Sequence, residues 1–391
     1  MAPGTGEPAT LLLNRLYTRE FFLDVRRALA GDGVLAMPVT LAGSYLGGEV
    51  GRYAGDVYRT LAAVFDEIVA TPEAHSMFIA AAANGVLSTD VDELTRRFER
   101  RGAASSLYPE AFGLLFPPAR TREINAELAR LPGRVNTDWR PTTYAAHLAT
   151  WAAISESPIA KVLAAANAAP RYAVFAALVV AAAAFAGPVF VRGRPRASAP
   201  LAVLFTGWAA MSMSILLIYA FQVACGYVYE WIGLLSAAFI AGTALGGAAG
   251  TRAKPGVGIL VGAELGALAV PLAILAILAV IKGAGPAAAA WVIPALAAAA
   301  GAATGFEFPV AAGVLGEAGM DARQTAGRLE APDHLGACAG AILAGVVVVP
   351  ALGIFASLLL VAAVKALSTA CAIRALRRRV GGRAVLKGDR P

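Results

Sequence analysis

The sequence predicts an α/β half-domain, the second half of an open doubly wound sheet, followed by an all-α multi-helix transmembrane domain. Three observations predict it. Of 391 residues, 58% are hydrophobic and only 15% are charged, whereas an ordinary soluble domain carries about 25% charged residues. The excess is uneven: residues 1–170 hold most of the acids with His75 and His147, and residues 171–376 are long apolar runs with few charges. Within the first part, apolar residues follow a helical period in some segments and read as short strands in others.

The elements of the first part follow in order. Asn14–Ala30 reads as a helix, with Leu16, Phe21, Phe22, Val25 and Leu29 on one face and Gly31-Asp32-Gly33 as its stop. "GVLAMPVT" reads as a short buried strand, and "VGRYAGDVYRTLAAVF" as a helix. "DEIVATPEAHSMFIAAAA" reads as two strands around Pro72, an antiparallel pair at a sheet edge. "DVDELTRRFERR" is a polar helix capped by Thr89 or Asp90, and "PPARTREINAELARL" is another, opened by prolines. A complete doubly wound domain needs a further βαβ half, with a Gly-rich turn after its first strand and an acid about 20 residues later. The "GTG" at Gly4–Gly6 has neither a strand before it nor a helix start after it, and is discounted as a phosphate cradle.

The second part carries apolar runs at about 172–191, 201–224, 231–250, 257–281, 287–316, 334–350 and 353–375, several of them with the roughly 20 residues that cross a bilayer core. Pro271, Pro294 and Pro309 sit inside runs, as membrane helices tolerate. "AGTALGGAAG" and "GAELGALA" are small-residue patterns suited to close helix packing. Domain boundaries follow: 1–135 the partial α/β domain, 136–170 a linker to the membrane, 171–376 the transmembrane domain of about seven helices, and 377–391 a basic tail.

Net charge is +7, and the tail from Arg374 supplies seven Lys or Arg directly after an apolar helix. That is a positive-inside flank rather than a nucleic-acid surface, since no aromatics interleave it for base stacking. Basic residues at Arg192–Arg196, Arg252–Lys254, Arg323–Arg328 and the tail alternate with nearly uncharged loops at 225–230, 282–286 and 351–352. This predicts a C-terminus on the cytoplasmic side of the membrane. The run 172–191 is then an odd crossing: either residues 1–170 are exported, or one run does not span. The three cysteines lie in or beside apolar runs without C-x-x-C spacing, which predicts neither a disulfide framework nor a zinc site.

Several stretches resemble one family. "EPATLLLNRLYTREFF", "GDGVLAMPV" and "VYRTLAAVFDEIVATPEAHSMFIAA" resemble the second half of the spermidine synthase (polyamine aminopropyltransferase) domain, in the membrane-fused form found in bacteria. "NTDWRPTTYAAHLATW" is similar to that family's passage from soluble domain to membrane. "TGWAAMSMSILLIYAFQVACGYVYEWIGLLSAAFIAGTALGG" and "AGRLEAPDHLGACAGAILAGVVVVPALG" are similar to its membrane helices. The resemblance covers nearly the whole chain and implies a Rossmann-like methyltransferase sheet, of which this chain holds the second half. It implies S-adenosylmethionine or its decarboxylated form as cofactor, bound by a Gly-rich turn and an acid that would precede Met1. No cofactor is therefore expected on this chain alone. In the family an acid stands three residues before the acidic-Pro pair; here that residue is Gly4, and Glu7 stands where the family has Asp.

Glu7 is the candidate catalytic residue, orienting or deprotonating an amine; otherwise it is a solvated carboxylate or a partner for the following helix dipole. Of Tyr17 and Arg15, one is expected in the core and the other on the surface. His75 is a lone histidine between strands. The intramembrane candidates are Gln222, Glu264, Glu307 and Asp333, since an ionisable group in a bilayer costs roughly 2.5–3.5 kcal/mol and faces a bundle interior. They read as a path for a proton, cation or polyamine, or as helix-to-helix hydrogen bonds. Lys365 reads as a snorkelling side chain. Two functional classes result: an aminopropyltransferase-like enzyme of which this chain is one half of a split or truncated protein, active only when complemented by a missing N-terminal half, or a transporter-like or scaffold membrane protein with a docking domain. Expected partners are the lipid bilayer, an N-terminal half protein or a second copy of this chain at the exposed edge of the half-sheet, and a polyamine as substrate, and not nucleic acid.

Overall fold

A threonine divides the first predicted helix. Leu11–Asn14 (α1) is one turn, capped by the Thr10 hydroxyl, which accepts from Leu13 N at 3.2 Å. A 3-10 turn, Arg15–Tyr17, follows. Thr18 is extended (φ −90°, ψ 156°) and its hydroxyl accepts from Phe21 N at 3.4 Å, so a new helix, Arg19–Ala28 (α2), begins there. The single helix expected over Asn14–Ala30 is thus two, because Thr18 offers the backbone an N-cap in place of a continued turn. The computed structural model describes residues 7–41, 46–102, 108–226, 229–283 and 285–388. The chain divides into two units, Met1–Ala168 and Ala169–Pro391.

The first unit is built on a three-stranded sheet of Val34–Thr40 (β1), Glu67–Ala70 (β2) and His75–Ala81 (β3), in the order β1-β3-β2. Both pairings are antiparallel, with Val34 opposite Ala81, Thr40 opposite His75, and Glu67 opposite Ala81. Hence β1 and β2 run parallel to each other, joined through the helix Gly48–Ala62 (α3), as a crossover between parallel strands requires. The two strands expected around Pro72 are present, with β3 central and β2 at the edge. β1 is not a fully buried strand: Met37 and Val39 enter the core, while Val34, Ala36 and Pro38 are exposed. It pairs on one side only, which is also where a proline without an N–H is tolerated.

Tyr53, Val57 and Leu61 recur every four residues along α3 and lay one buried face on Met37, Val39, Phe78 and Ala80. The polar helix Val91–Arg101 (α4) is capped by Asp90, whose carboxylate accepts from Glu93 N at 3.0 Å. A short turn, Ala111–Leu115 (α5), precedes Pro118–Arg130 (α6), which opens on proline and adds Ile124 and Leu128 to the core. Residues 136–168 fold into this unit instead of forming a linker. Thr142–Ile154 (α7) packs on α3, and Ala160–Ala168 (α8) packs on α7. Asn136 is fully buried, and its side-chain amide donates to Asn14 Oδ1 at 3.1 Å and Tyr17 O at 2.9 Å. A buried amide with its donors satisfied locks the segment down.

The second unit is helical throughout: Arg171–Arg192 (α9), Pro195–Cys225 (α10), Tyr229–Gly250 (α11), Val257–Ile281 (α12), Pro286–Glu317 (α13), Ala322–Leu343 (α14), a π turn Ala344–Val348, Val349–Leu352 (α15) and Ile354–Gly388 (α16). Among the described residues seven helical spans are long and apolar enough to cross a membrane. Of the described residues, 75% are helical. The sixth span begins at Ala322, earlier than the apolar run at 334 implied, so Asp333 lies well inside a helix. The basic tail continues α16 as helix to Gly388.

Glycines let α11 and α13 pack backbone to backbone. A Cβ on Gly242, Gly246 or Gly250 of α11 would strike the carbonyl of Ala298, Ala302 or Phe306 on α13. Gly301 and Gly305 of α13 meet the carbonyls of Phe239 and Thr243 in return. Small residues four apart let two backbones approach in this way. The other expected small-residue pattern does no such work, because Gly262 and Gly266 of α12 have nothing within 4 Å of an added Cβ.

Candidate functional site

Each unit contains a cluster of polar side chains brought together from elements far apart in the chain. In the first unit α7 supplies His147, Thr150, Trp151 and Ile154, spaced i, i+3, i+4 and i+7 and therefore on one face. α3 supplies Val50 and Tyr53, and the end of β1 supplies Thr40 and Leu41. Together with Glu7 they line a cavity of about 100 Å³. Trp151 Nε1 donates to Glu7 Oε2 at 3.4 Å, and His147 Nδ1 stands 3.9 Å from the same oxygen. The Tyr53 and His147 rings meet edge to face at 5.5 Å, and His147 and Trp151 are tilted at 6.1 Å. Glu7 Oε1 is buried and has no hydrogen-bond partner.

Electrostatics keep the surrounding groups neutral. Burial pushes the His147 pKa down, with the Glu7 charge opposing it more weakly, so the imidazole is uncharged at neutral pH. Burial raises the Tyr17 phenol pKa, and the Glu7 charge adds to it. Tyr53 is raised by burial, then by the adjacent Tyr17, then by Glu7. Tyr17 is core, as one of the pair Arg15 and Tyr17 was expected to be, and its hydroxyl donates to Pro38 O at 3.4 Å. His75 is exposed at the start of β3 and takes no part in this cluster.

Small-molecule pockets run to roughly 300–1,000 Å³, and the space beside Glu7 is about 100 Å³. Gly4–Gly6, the discounted phosphate cradle, lies outside the described residues. Among the described residues no three His, Cys, Asp or Glu side chains converge as metal ligands.

In the second unit Glu264 of α12, Glu307 of α13 and Lys365 of α16 meet, all with 0% exposure. Lys365 Nζ lies 3.0 Å from Glu264 Oε2 and 3.3 Å from Glu307 Oε2. It also donates to Thr206 Oγ1 of α10 at 2.6 Å, and that hydroxyl donates to Glu307 Oε1 at 2.7 Å. Ser368 and Thr369, one turn beyond Lys365, donate to Glu264 Oε2 at 2.6 Å and 3.1 Å. Four helices thus converge on one cation held between two carboxylates. Glu264 Oε1 is buried without a partner.

The predicted intramembrane residues divide accordingly. Glu264 and Glu307 come together. Gln222 is buried on α10 but lies sixteen residues beyond Thr206, about 24 Å along the helix. Asp333 belongs to α14, where its backbone carbonyl and carboxylate crowd Gly207 of α10, and His334 Nδ1 is 3.7 Å away. Lys365 does not snorkel; it is the centre of the cluster. Sequence reading also passed over Tyr53 and Trp151, and His147 was noted only for its place in the chain. Comparison with protein-family models, with curated proteins and with solved structures returned no match.

Proposed function

We propose that this chain is a spermidine synthase-like integral membrane protein whose α/β unit receives a protonated amine at Glu7 and does not perform group transfer by itself. One observation carries the reading: Glu7, which keeps one buried and unpartnered carboxylate oxygen, lines a small cavity walled by aromatic rings. An ammonium is the complementary ligand, since it brings hydrogen-bond donors and a positive charge, and ring faces of Trp and Tyr favour a nearby cation. The volume suits the end of a polyamine. The order β1-β3-β2, with its β1–α3–β2 crossover, is compatible with the second half of a Rossmann-like methyltransferase sheet. The aminopropyltransferase resemblance of Glu7–Phe22 supplies the substrate class.

Calorimetry of the full chain in lipid nanodiscs with spermidine and putrescine tests the reading. Binding that weakens tenfold or more in Glu7→Gln, a loss of about 1.4 kcal/mol or more, supports it. Equal binding by wild type and Glu7→Gln removes it. Tight S-adenosylmethionine binding by the chain alone would contradict the statement that it holds no cofactor unaided.

A second reading, a transporter-like membrane protein with a docking domain, is favoured by the buried Glu264–Lys365–Glu307 cluster. Polyamine flux into liposomes that is lost on Glu264→Gln or Glu307→Gln supports it, and unchanged flux in both removes those carboxylates from the mechanism.

A further inference from the structure

The Glu264–Lys365–Glu307 cluster contains two acids and one base. With all three ionised it carries one excess negative charge at 0% exposure. An uncompensated charge in such surroundings costs several kcal/mol. The remaining groups do not supply the missing positive charge. Thr206, Ser368 and Thr369 are hydroxyls already donating to the carboxylates. The Cys371 thiol on α16, within electrostatic reach of Glu264, is no cation. Asp333, which crowds Gly207 next to Thr206, adds an acid and has its own partner in His334.

The oxygens say where compensation belongs. Glu264 Oε2 accepts from Lys365, Ser368 and Thr369, yet Glu264 Oε1 has no donor. The carboxyl of Glu307 lies within hydrogen-bonding reach of Glu264. Two acceptors that close with nothing between them are one hydrogen short. A metal ion would need several oxygens arranged around it; here the Lys365 ammonium contacts both carboxylates, and among the described residues no three metal-ligating side chains converge.

We propose that Glu264 and Glu307 share one exchangeable proton, and that the cluster is a proton-binding site inside the helical unit. The proton comes from water: an O–H bond forms on one carboxylate and the other accepts the hydrogen bond, bringing the cluster to net zero. The inference rests on neither functional reading above.

Infrared spectroscopy of the full chain in nanodiscs, in H₂O and in D₂O, tests it. The expected wild-type spectrum at neutral pH has a carboxylic-acid C=O band that shifts on deuteration. Glu264→Gln and Glu307→Gln should each remove that component entirely, because the one acid left is balanced by Lys365. Lys365→Met should enlarge it about twofold, because both acids must then be neutral. Glu7→Gln should leave it unchanged. A wild-type spectrum without an exchangeable acid band overturns the proposal with no variant needed. A band equally strong in Glu264→Gln, Glu307→Gln and wild type also overturns it, since the proton then resides elsewhere.

Discussion

Glu7 and Glu264 each leave one carboxylate oxygen buried and unpaired, and the two differ in what else the site provides. Around Glu7 the other groups are uncharged: an imidazole whose pKa burial depresses, an indole, and phenols whose pKa values burial raises. The site has room beside it, and among the described residues that line it there is no Lys or Arg. Around Glu264 the counter-charge is built in, and four helices close over it. A carboxylate without an internal partner is available for a ligand. One with an internal partner belongs to the fold, and only a proton's worth of imbalance is left over. Asp56 stands between the two. It is buried and its partner Arg134 is half-buried, and burial raises the Asp56 pKa while Arg134 holds it down.

Removing the cation is the most severe way to break this contrast. Lys365→Met leaves two buried acids without their cation and should cost about 3–5 kcal/mol, read as a fall in the thermal unfolding midpoint in detergent. The triple replacement Glu264→Gln, Glu307→Gln, Lys365→Met should restore most of it; a triple variant no better than Lys365→Met would mean that packing, not charge balance, sets the loss. Next in size is Asp56→Ala. Its carboxylate accepts from Arg134 N at 2.7 Å and from the Arg134 guanidinium at 3.0 Å. Losing charge-assisted bonds of this kind costs roughly 1.5–3 kcal/mol, visible as faster hydrogen exchange around residues 133–136. An unchanged exchange rate there would show the pair to be dispensable.

Glu7→Gln should change stability by no more than about 0.5 kcal/mol while abolishing amine binding. A large loss of stability would move Glu7 into the class of Glu264. The smallest effect concerns His147. Its folded pKa lies below the ordinary value of 6.5, so between those two values the unfolded chain binds more protons. Stability is therefore full above about pH 6.5 and declines as pH falls toward the folded pKa. Exchange of α7 amides, corrected for intrinsic rate, should accelerate on acidification in wild type and not in His147→Gln.

Much of the helical unit was legible, because length and hydropathy are local properties: the seven runs lie close to the seven spans. Glu264 and Glu307 were legible for the same reason, as acids where acids are costly. Lys365 was misread through distance. It lies near the middle of the span Ile354–Val380, roughly 16 Å from the nearer end at 1.5 Å per residue, too far to reach an interface. Ser368 and Thr369, on its own face at i+3 and i+4, were a further sign of an inward-facing stripe. The walls of the Glu7 cavity carried no such signal. His147 and Trp151 reach Glu7 from about 140 residues away in the chain, through the packing of α7 on α3, and no periodicity reports a contact of that range. The break at Thr18 was hidden because Tyr17, Phe21 and Val25 keep a spacing of four across it, although a threonine ahead of a glutamate carries its own cap signal.

The α11–α13 seam has a consequence for suppressor genetics. Most packing lesions can be relieved by shrinking the residue opposite. Here the atom opposite each glycine is a backbone carbonyl, which no codon change can make smaller. A side chain gained at Gly242, Gly246, Gly250, Gly301 or Gly305 therefore has no revertant across the interface. Rescue must come from the original codon, or from mutations elsewhere that let a whole helix shift.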